Sequence, residues 1–155
     1  MMVTMQKSAF LQADAYALVQ RINKLTPVTQ PQWGKMNVAQ MLAHCNVTYE
    51  LAYDNNHPKP GAFKRMLLKA FVKPIVVGDK PYKRNSPTAP VFMVSAHQDF
   101  EKEKQRLIDY INKTQELGSL YFEGKESHSF GSLTAAEWDT MFYKHLDHHL
   151  TQFGV

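Results

Sequence analysis

The chain carries a single cysteine, Cys45, so no internal disulfide can staple it and packing alone must hold the fold. It has no stretch of eighteen consecutive apolar residues, so no segment is expected to span a membrane. The start, Met1-Met2-Val3-Thr4-Met5-Gln6-Lys7, leads into no long apolar run of the signal-peptide kind, and a soluble cytoplasmic protein is expected. No run alternates clearly enough between apolar and polar residues to require a sheet. Nor is there a recognised DNA- or RNA-binding motif, so nucleic acid is not an expected partner. At 155 residues and 44% hydrophobic content, residues 1–155 suit one domain with a core large enough to fold unaided.

What is present is helical periodicity. Phe10, Leu11, Ala15, Leu18, Val19 and Ile22 recur at threes and fours, predicting a first amphipathic helix from Ser8 to about Lys24. Pro27 and Pro31 interrupt it, and Trp33 is expected to pack back on the body. Asn37 followed by Gln40 makes a capping box that opens a second helix reaching about Tyr53. Ala62 to about Val72 predicts a short amphipathic helix, with Phe63, Met66, Leu67, Ala70 and Phe71 on one side and Arg65, Lys69 and Lys73 on the other. Pro74-Ile75-Val76-Val77-Gly78 and the proline-bearing run to Val91 are expected to be extended loop.

Ser95 with Gln98 predicts the start of a third long helix, with Phe100, Leu107, Tyr110 and Ile111 inward. Its charge run, Glu101 to Arg106, is expected to be a salt-bridged surface, and Gly118 its terminal cap. After a polar loop from Gly124 to Gly131, Thr134 and Glu137 form the capping box of a last helix, Leu133 to Phe153. The expected architecture is an all-α four-helix bundle whose long helix 2 to helix 3 connection carries a short extra helix.

Along the last helix the apolar stripe Trp138, Met141, Phe142 is continued by His145 and His149. Histidines at i and i+4 sit one above the other, close enough for both rings to reach one metal ion. A third ligand is offered by His44, which shares a helical face with Met41, Thr48 and Leu51. Three neutral nitrogens from two facing helices would hold a divalent ion with a coordination position left open, as catalytic rather than structural sites do. The plainer alternative is that these histidines are hydrogen-bonded core residues. Position 146 is Leu, so the glutamate base of the HExxH motif is missing.

Zinc suits three imidazoles, while nickel, iron and manganese share the same donors. His148, one step off the stripe, is the candidate proton acceptor beside the ion, and Tyr53 or Tyr143 could orient a substrate. Cys45 points about 100° round the helix from His44 and reads as a small buried hydrophobe. His57 and His97 are expected to be exposed. His128 is expected to lie outside the first shell, because the eleven residues from Thr134 to His145 span roughly 16 Å of helix.

Met36-Asn37-Val38-Ala39-Gln40-Met41-Leu42-Ala43-His44, with Phe130-Gly131-Ser132-Leu133-Thr134 to Glu137-Trp138 and His145-Leu146-Asp147-His148-His149-Leu150-Thr151-Gln152-Phe153, resembles the DinB/YfiT-like superfamily of metalloenzymes, within it a branch of uncharacterised bacterial proteins. The order and spacing of the pieces suit a match over nearly the whole chain. The resemblance implies that His44, His145 and His149 fall on the three metal positions. Members of the wider group include transferases and isomerases that use low-molecular-weight thiols, and many have no established activity. The resemblance thus implies a metal-dependent thiol-dependent transferase with a thiol cosubstrate and paired bundles, that is, a homodimer, while a hydrolase acting on a small-molecule substrate through metal-bound water is the alternative that the open coordination position offers.

Charge is uneven. Residues 64 to 84 hold seven basic side chains against Asp79 alone, a balance of +6, whereas the whole chain is +4 and the remainder therefore −2. Such a stretch attracts an anionic substrate, the carboxylates of a thiol cosubstrate or an acidic membrane surface. The plainer alternative is a solvated helix face whose lysine stems cover apolar surface. The rival class of function is a non-enzymatic helical binding module, with structural histidines and a basic helix that contacts a partner or membrane.

Overall fold

The structure is a computed structural model that describes residues 6–95 and 97–155; the reading of the chain's start rests largely on residues 1–5, which lie outside the described residues. Helix dominates. The elements in chain order are α1 (Gln12–Asn23), α2 (Val38–Tyr53), α3 (Ala62–Leu67), a π-helical turn (Leu68–Val72), α4 (Lys73–Val77), a 3-10 turn (Pro90–Phe92), α5 (Phe100–Phe122) and α6 (Ala135–Gln152). Two two-residue strands, β1 (Glu126–Ser127) and β2 (Gly131–Ser132), pair antiparallel in the loop before α6.

The helix boundaries follow local hydrogen bonding. Both halves of the α2 capping box form, since the Gln40 amide donates to Asn37 Oδ1 at 2.8 Å and the Asn37 amide to Gln40 Oε1 at 2.9 Å. α1 begins at Gln12 rather than Ser8, because the preceding amides are engaged elsewhere: Ser8 N donates to Asp14 Oδ2 at 3.0 Å and Ala9 N to Asp139 Oδ1 at 2.6 Å. α5 begins at Phe100 rather than Ser95. Gln98 does reach Ser95 Oγ at 2.8 Å, but before the helix; the Asp99 carboxylate, accepting from Lys102 N at 3.0 Å, is the N-cap.

Gly118 is a break within α5 rather than its end. With φ at 71° it takes a conformation that side chains disfavour, and one more turn follows it. That turn delivers Phe122 to the core, where it stacks on Phe10 at 5.3 Å and tilts against Trp138 at 5.5 Å.

The larger departure is at α3 and α4. Helix continues through Val77, where loop was expected from Pro74. Pro74 sits in the first turn of α4, where its missing amide is not needed, and the preceding π-turn carries the Lys73 amide to Leu68 O. Lys144 Nζ then donates to Ile75 O at 2.7 Å, Gly78 O at 2.6 Å and Lys80 O at 3.1 Å, satisfying carbonyls that the end of a helix leaves free. The segment's apolar side is turned outward: Phe63 and Phe71 are each 71% exposed, Ile75 62% and Met66 57%. Inward, Leu68 and Val76 pack on the core, and two ion pairs add to them, Arg65 to Glu126 at 2.6 Å and Lys73 to Glu137 at 3.2 Å.

Elsewhere exposed apolar side chains, such as Leu120, Val28, Met93 and Tyr16, stand apart in the sequence, and the rest form a core. α2 packs along α5, α6 packs against both, and α1 packs against α5 and α6. Leu18, Ile22, Met41, Leu42, Leu107, Leu146 and Leu150 are almost free of solvent contact. An aromatic column passes from Tyr110 through Tyr49 (5.3 Å) and Phe142 (5.0 Å) to Trp138 (5.5 Å). One member of the expected surface charge run, Glu103, is instead buried, and accepts from Asn46 Nδ2 and Arg106 Nη1, each at 2.8 Å. Among the described residues no helix is long and apolar enough to cross a membrane.

Candidate metal centre

The row on α6 that begins with Trp138 and Phe142 delivers His145 and His149 to the face of α2 that holds His44. His44 Nε2 lies 3.1 Å from His145 Nε2 and 3.0 Å from His149 Nε2. One nitrogen from each ring falls within 4.8 Å of the others, a grouping that could hold a metal ion. His44 and His149 are buried and His145 is half-buried.

Each ring is held from behind. His44 Nδ1 is 3.0 Å from Phe92 O, His149 Nδ1 is 2.7 Å from Gln152 Oε1, and His145 Nδ1 is 3.2 Å from Thr48 Oγ1. A carbonyl oxygen only accepts, so His44 Nδ1 carries the proton. The orientation of the Gln152 amide is fixed because its Nε2 donates to Trp33 O at 2.9 Å, which leaves Oε1 to accept from His149 Nδ1. In the neutral rings of His44 and His149 both Nε2 atoms are then bare lone pairs, facing each other at 3.0 Å. Neither can donate to the other. His145 Nε2, 3.1 Å from His44 Nε2, can carry a proton to that one lone pair when Thr48 donates to its Nδ1, but a cation shared among the rings relieves the His44–His149 opposition directly.

A proton is poorly suited to that role. Burial holds His149 down at about 3, keeps His145 well below the usual imidazole value, and lowers His44. At neutral pH all three rings are uncharged, the form that ligates metals. Hydrogen bonding of the far nitrogen to a carbonyl or amide oxygen is also how metal-ligating histidines are oriented.

The surroundings come from two connections, α1 to α2 and α4 to α5. Tyr82 meets His145 edge-on at 6.3 Å and His148 at 5.6 Å, and its hydroxyl donates to Val76 O at 3.1 Å. Phe92 tilts against His44 at 5.5 Å and His145 at 6.0 Å. Trp33 meets His148 at 5.7 Å, with the Arg84 guanidinium 4.1 Å above the indole. Gly34, at φ +82°, lets the backbone pass so near Gln152 that an added Cβ would stand 2.6 Å from its Nε2.

His148 lies at the rim beside His149, half-buried, with a pKa lowered by burial. The two tyrosines expected to orient a substrate are elsewhere: Tyr53 bonds Thr114 Oγ1 at 2.7 Å and stacks on Tyr110, while the Tyr143 phenol feels the charges of Lys7, Asp14 and Arg21 on the α1 side. Cys45 is buried with its thiol 3.7 Å from Met41 Sδ, and burial raises its pKa, so it is no thiolate ligand. His57 is half-buried against Glu50 at 2.8 Å rather than exposed, and His97 is exposed but precedes α5. His128 bonds Pro58 O at 3.0 Å and takes no part in the cluster.

Gln152, Gly34, Tyr82 and Phe92 carry functions that sequence reasoning misses. Gln152 had a signal, standing three residues after His149 on the same face. Tyr82 and Phe92 had none, because they reach the histidines from irregular chain.

Among known proteins, residues 5–154 match the model of a family described as "Protein of unknown function (DUF1569)". No curated protein and no solved structure matches the chain.

Proposed function

The chain belongs to the DUF1569 family, and we propose that it is a metal-dependent enzyme built on a three-histidine centre of His44, His145 and His149. The observation that carries this reading is the opposition of two unprotonated nitrogens 3.0 Å apart, each fixed in that state by a partner behind it. The donor set fits a divalent first-row ion, zinc foremost, with nickel, iron and manganese sharing the same ligands. When bound, such an ion lowers the pKa of a coordinated water or thiol, making a nucleophile at neutral pH.

The chain's own groups then divide the work. His44, His145 and His149 hold the ion and are aimed by Phe92 O, Thr48 and Gln152. His148, neutral at pH 7 because burial lowers its pKa, stands at the rim as acceptor for the nucleophile's proton. Tyr82 and Phe92 screen one side from water. Arg84, stacked on Trp33, presents positive charge to an anionic small-molecule substrate.

In this reading α1, α2, α5 and α6 are a four-helix bundle of one domain and the DinB/YfiT-like resemblance holds. That resemblance favours thiol-dependent transfer over hydrolysis. The test is a screen of the metal-loaded protein with small thiols and electrophilic acceptors, and with activated esters and amides, beside His145→Ala. Turnover that needs both metal and His145 supports the proposal. A protein that binds metal yet turns over neither class overturns its enzymatic part, and one that takes up no divalent ion overturns all of it.

A further inference from the structure

We propose that the outward face of α3, the π-turn and α4 is a docking surface for an anionic lipid bilayer; this rests on nothing assigned to the histidines. Residues 62–77 are apolar on two sides. Leu68 and Val76 pack on the core, while Phe63, Met66, Phe71 and Ile75 point away from it with more than half of their surface bare. A helix apolar all round is one covered all round, and here one side has no cover. The expected shielding by lysine stems is missing where it matters, because Arg65 and Lys73 are spent on inward ion pairs.

Charge decides what the cover is. Lys64, Lys80 and Lys83 are exposed and have no carboxylate partner among the described residues, whereas Lys69 Nζ lies beside Arg65 over Gly131. Joining this face to a second copy would set two segments against each other that each keep a balance of +4 once the Arg65 and Lys73 pairs are discounted, within about a Debye length, roughly 8 Å. A surface of anionic headgroups does the reverse, drawing the lysines in while the phenylalanines settle at the headgroup and acyl boundary. No described helix is long and apolar enough to span, so the association is peripheral and reversible.

The experiment is flotation of the full chain with vesicles of phosphatidylcholine alone and of phosphatidylcholine with roughly a third phosphatidylserine. Association with the anionic vesicles should exceed that with the neutral ones by at least about tenfold and weaken as salt rises. The double change Phe63→Glu with Phe71→Glu should abolish it, and Lys64→Glu with Lys80→Glu should erase the preference for anionic lipid. Both variants should keep the melting temperature and metal content of the parent. No association with either vesicle, or equal association with both, overturns the proposal. So does a dimer in sedimentation that the phenylalanine changes dissolve without any lipid binding, which would assign the face to a second copy.

Discussion

Where α2 meets α6, polar nitrogens are buried and point at one another; along α3 and α4, phenylalanines and an isoleucine point at solvent. The two regions invert the usual sorting of side chains in opposite directions, while the leucine and aromatic core between them keeps it. An unsatisfied buried acceptor costs about 1–3 kcal/mol, and a large apolar side chain left bare forgoes roughly 1.5–3 kcal/mol of burial. Either sum is a large share of a domain's net stability, about 5–15 kcal/mol.

The manner of construction separates them. Every histidine ring is oriented by a hydrogen bond from behind, so that site is prepared for a point-like ligand. The α3–α4 segment is anchored by Leu68 and Val76 and at its edges by Arg65, Lys73 and Lys144, and its outer face offers area rather than direction.

That contrast can be broken in several places. The largest effect is expected from His44→Ala, His145→Ala or His149→Ala, each of which should abolish tight divalent-ion uptake measured by calorimetry while the chain stays folded. Leu146→Ala, in the same helix but wholly in the core, should instead remove about 2–5 kcal/mol of stability in chemical denaturation. Gln152→Leu frees the back of His149 and should weaken metal affinity about 10–100-fold. Gly34→Ala, by displacing the same amide, should act in the same direction.

The dependence on pH has a definite sign. His149 is held at about 3 and His145 well below its ordinary 6.5, so below about pH 6.5 the unfolded chain binds protons that the folded chain refuses. Stability of the metal-free protein should therefore fall as pH drops from about 6.5 toward 3, by up to about 1.4 kcal/mol per pH unit for each such histidine. It should be flat in this respect above pH 7. Thermal melts across that range check it, and a melting temperature insensitive to acid would contradict the burial of neutral rings. The smallest effect belongs to the other region: Phe63→Glu with Phe71→Glu should alter stability by no more than about 0.5 kcal/mol, because the described residues leave those rings 71% exposed.

Much of this arrangement is legible in the sequence, and the exceptions have physical causes. His145, His149 and His44 can be found because helical period and apolar neighbours fix which way each ring points. The caps at Asn37 and Thr134 are legible because two or three residues decide them, though at Thr134 only half of the expected box forms, the Glu137 carboxylate pairing with Lys73 instead. The start of α5 is not, since Ser95 and Asp99 both offer a capping oxygen and only the fold selects Asp99. Periodicity identifies the apolar side of Ala62–Val72 but not whether the fold faces it inward; Glu126 and Glu137, distant in sequence, draw the basic side to the body. Tyr82 is hidden for a similar reason, its place beside His145 depending on the three carbonyls that Lys144 gathers.

The central claim is that three imidazoles share one ion, and X-ray absorption at the metal edge, on protein loaded with one equivalent of zinc, tests it most directly. The account predicts three imidazole nitrogens in the first shell at about 2.0–2.1 Å, reduced in His145→Ala. A shell with fewer imidazoles, or zinc that dialysis removes from the parent protein as readily as from the variant, would contradict it.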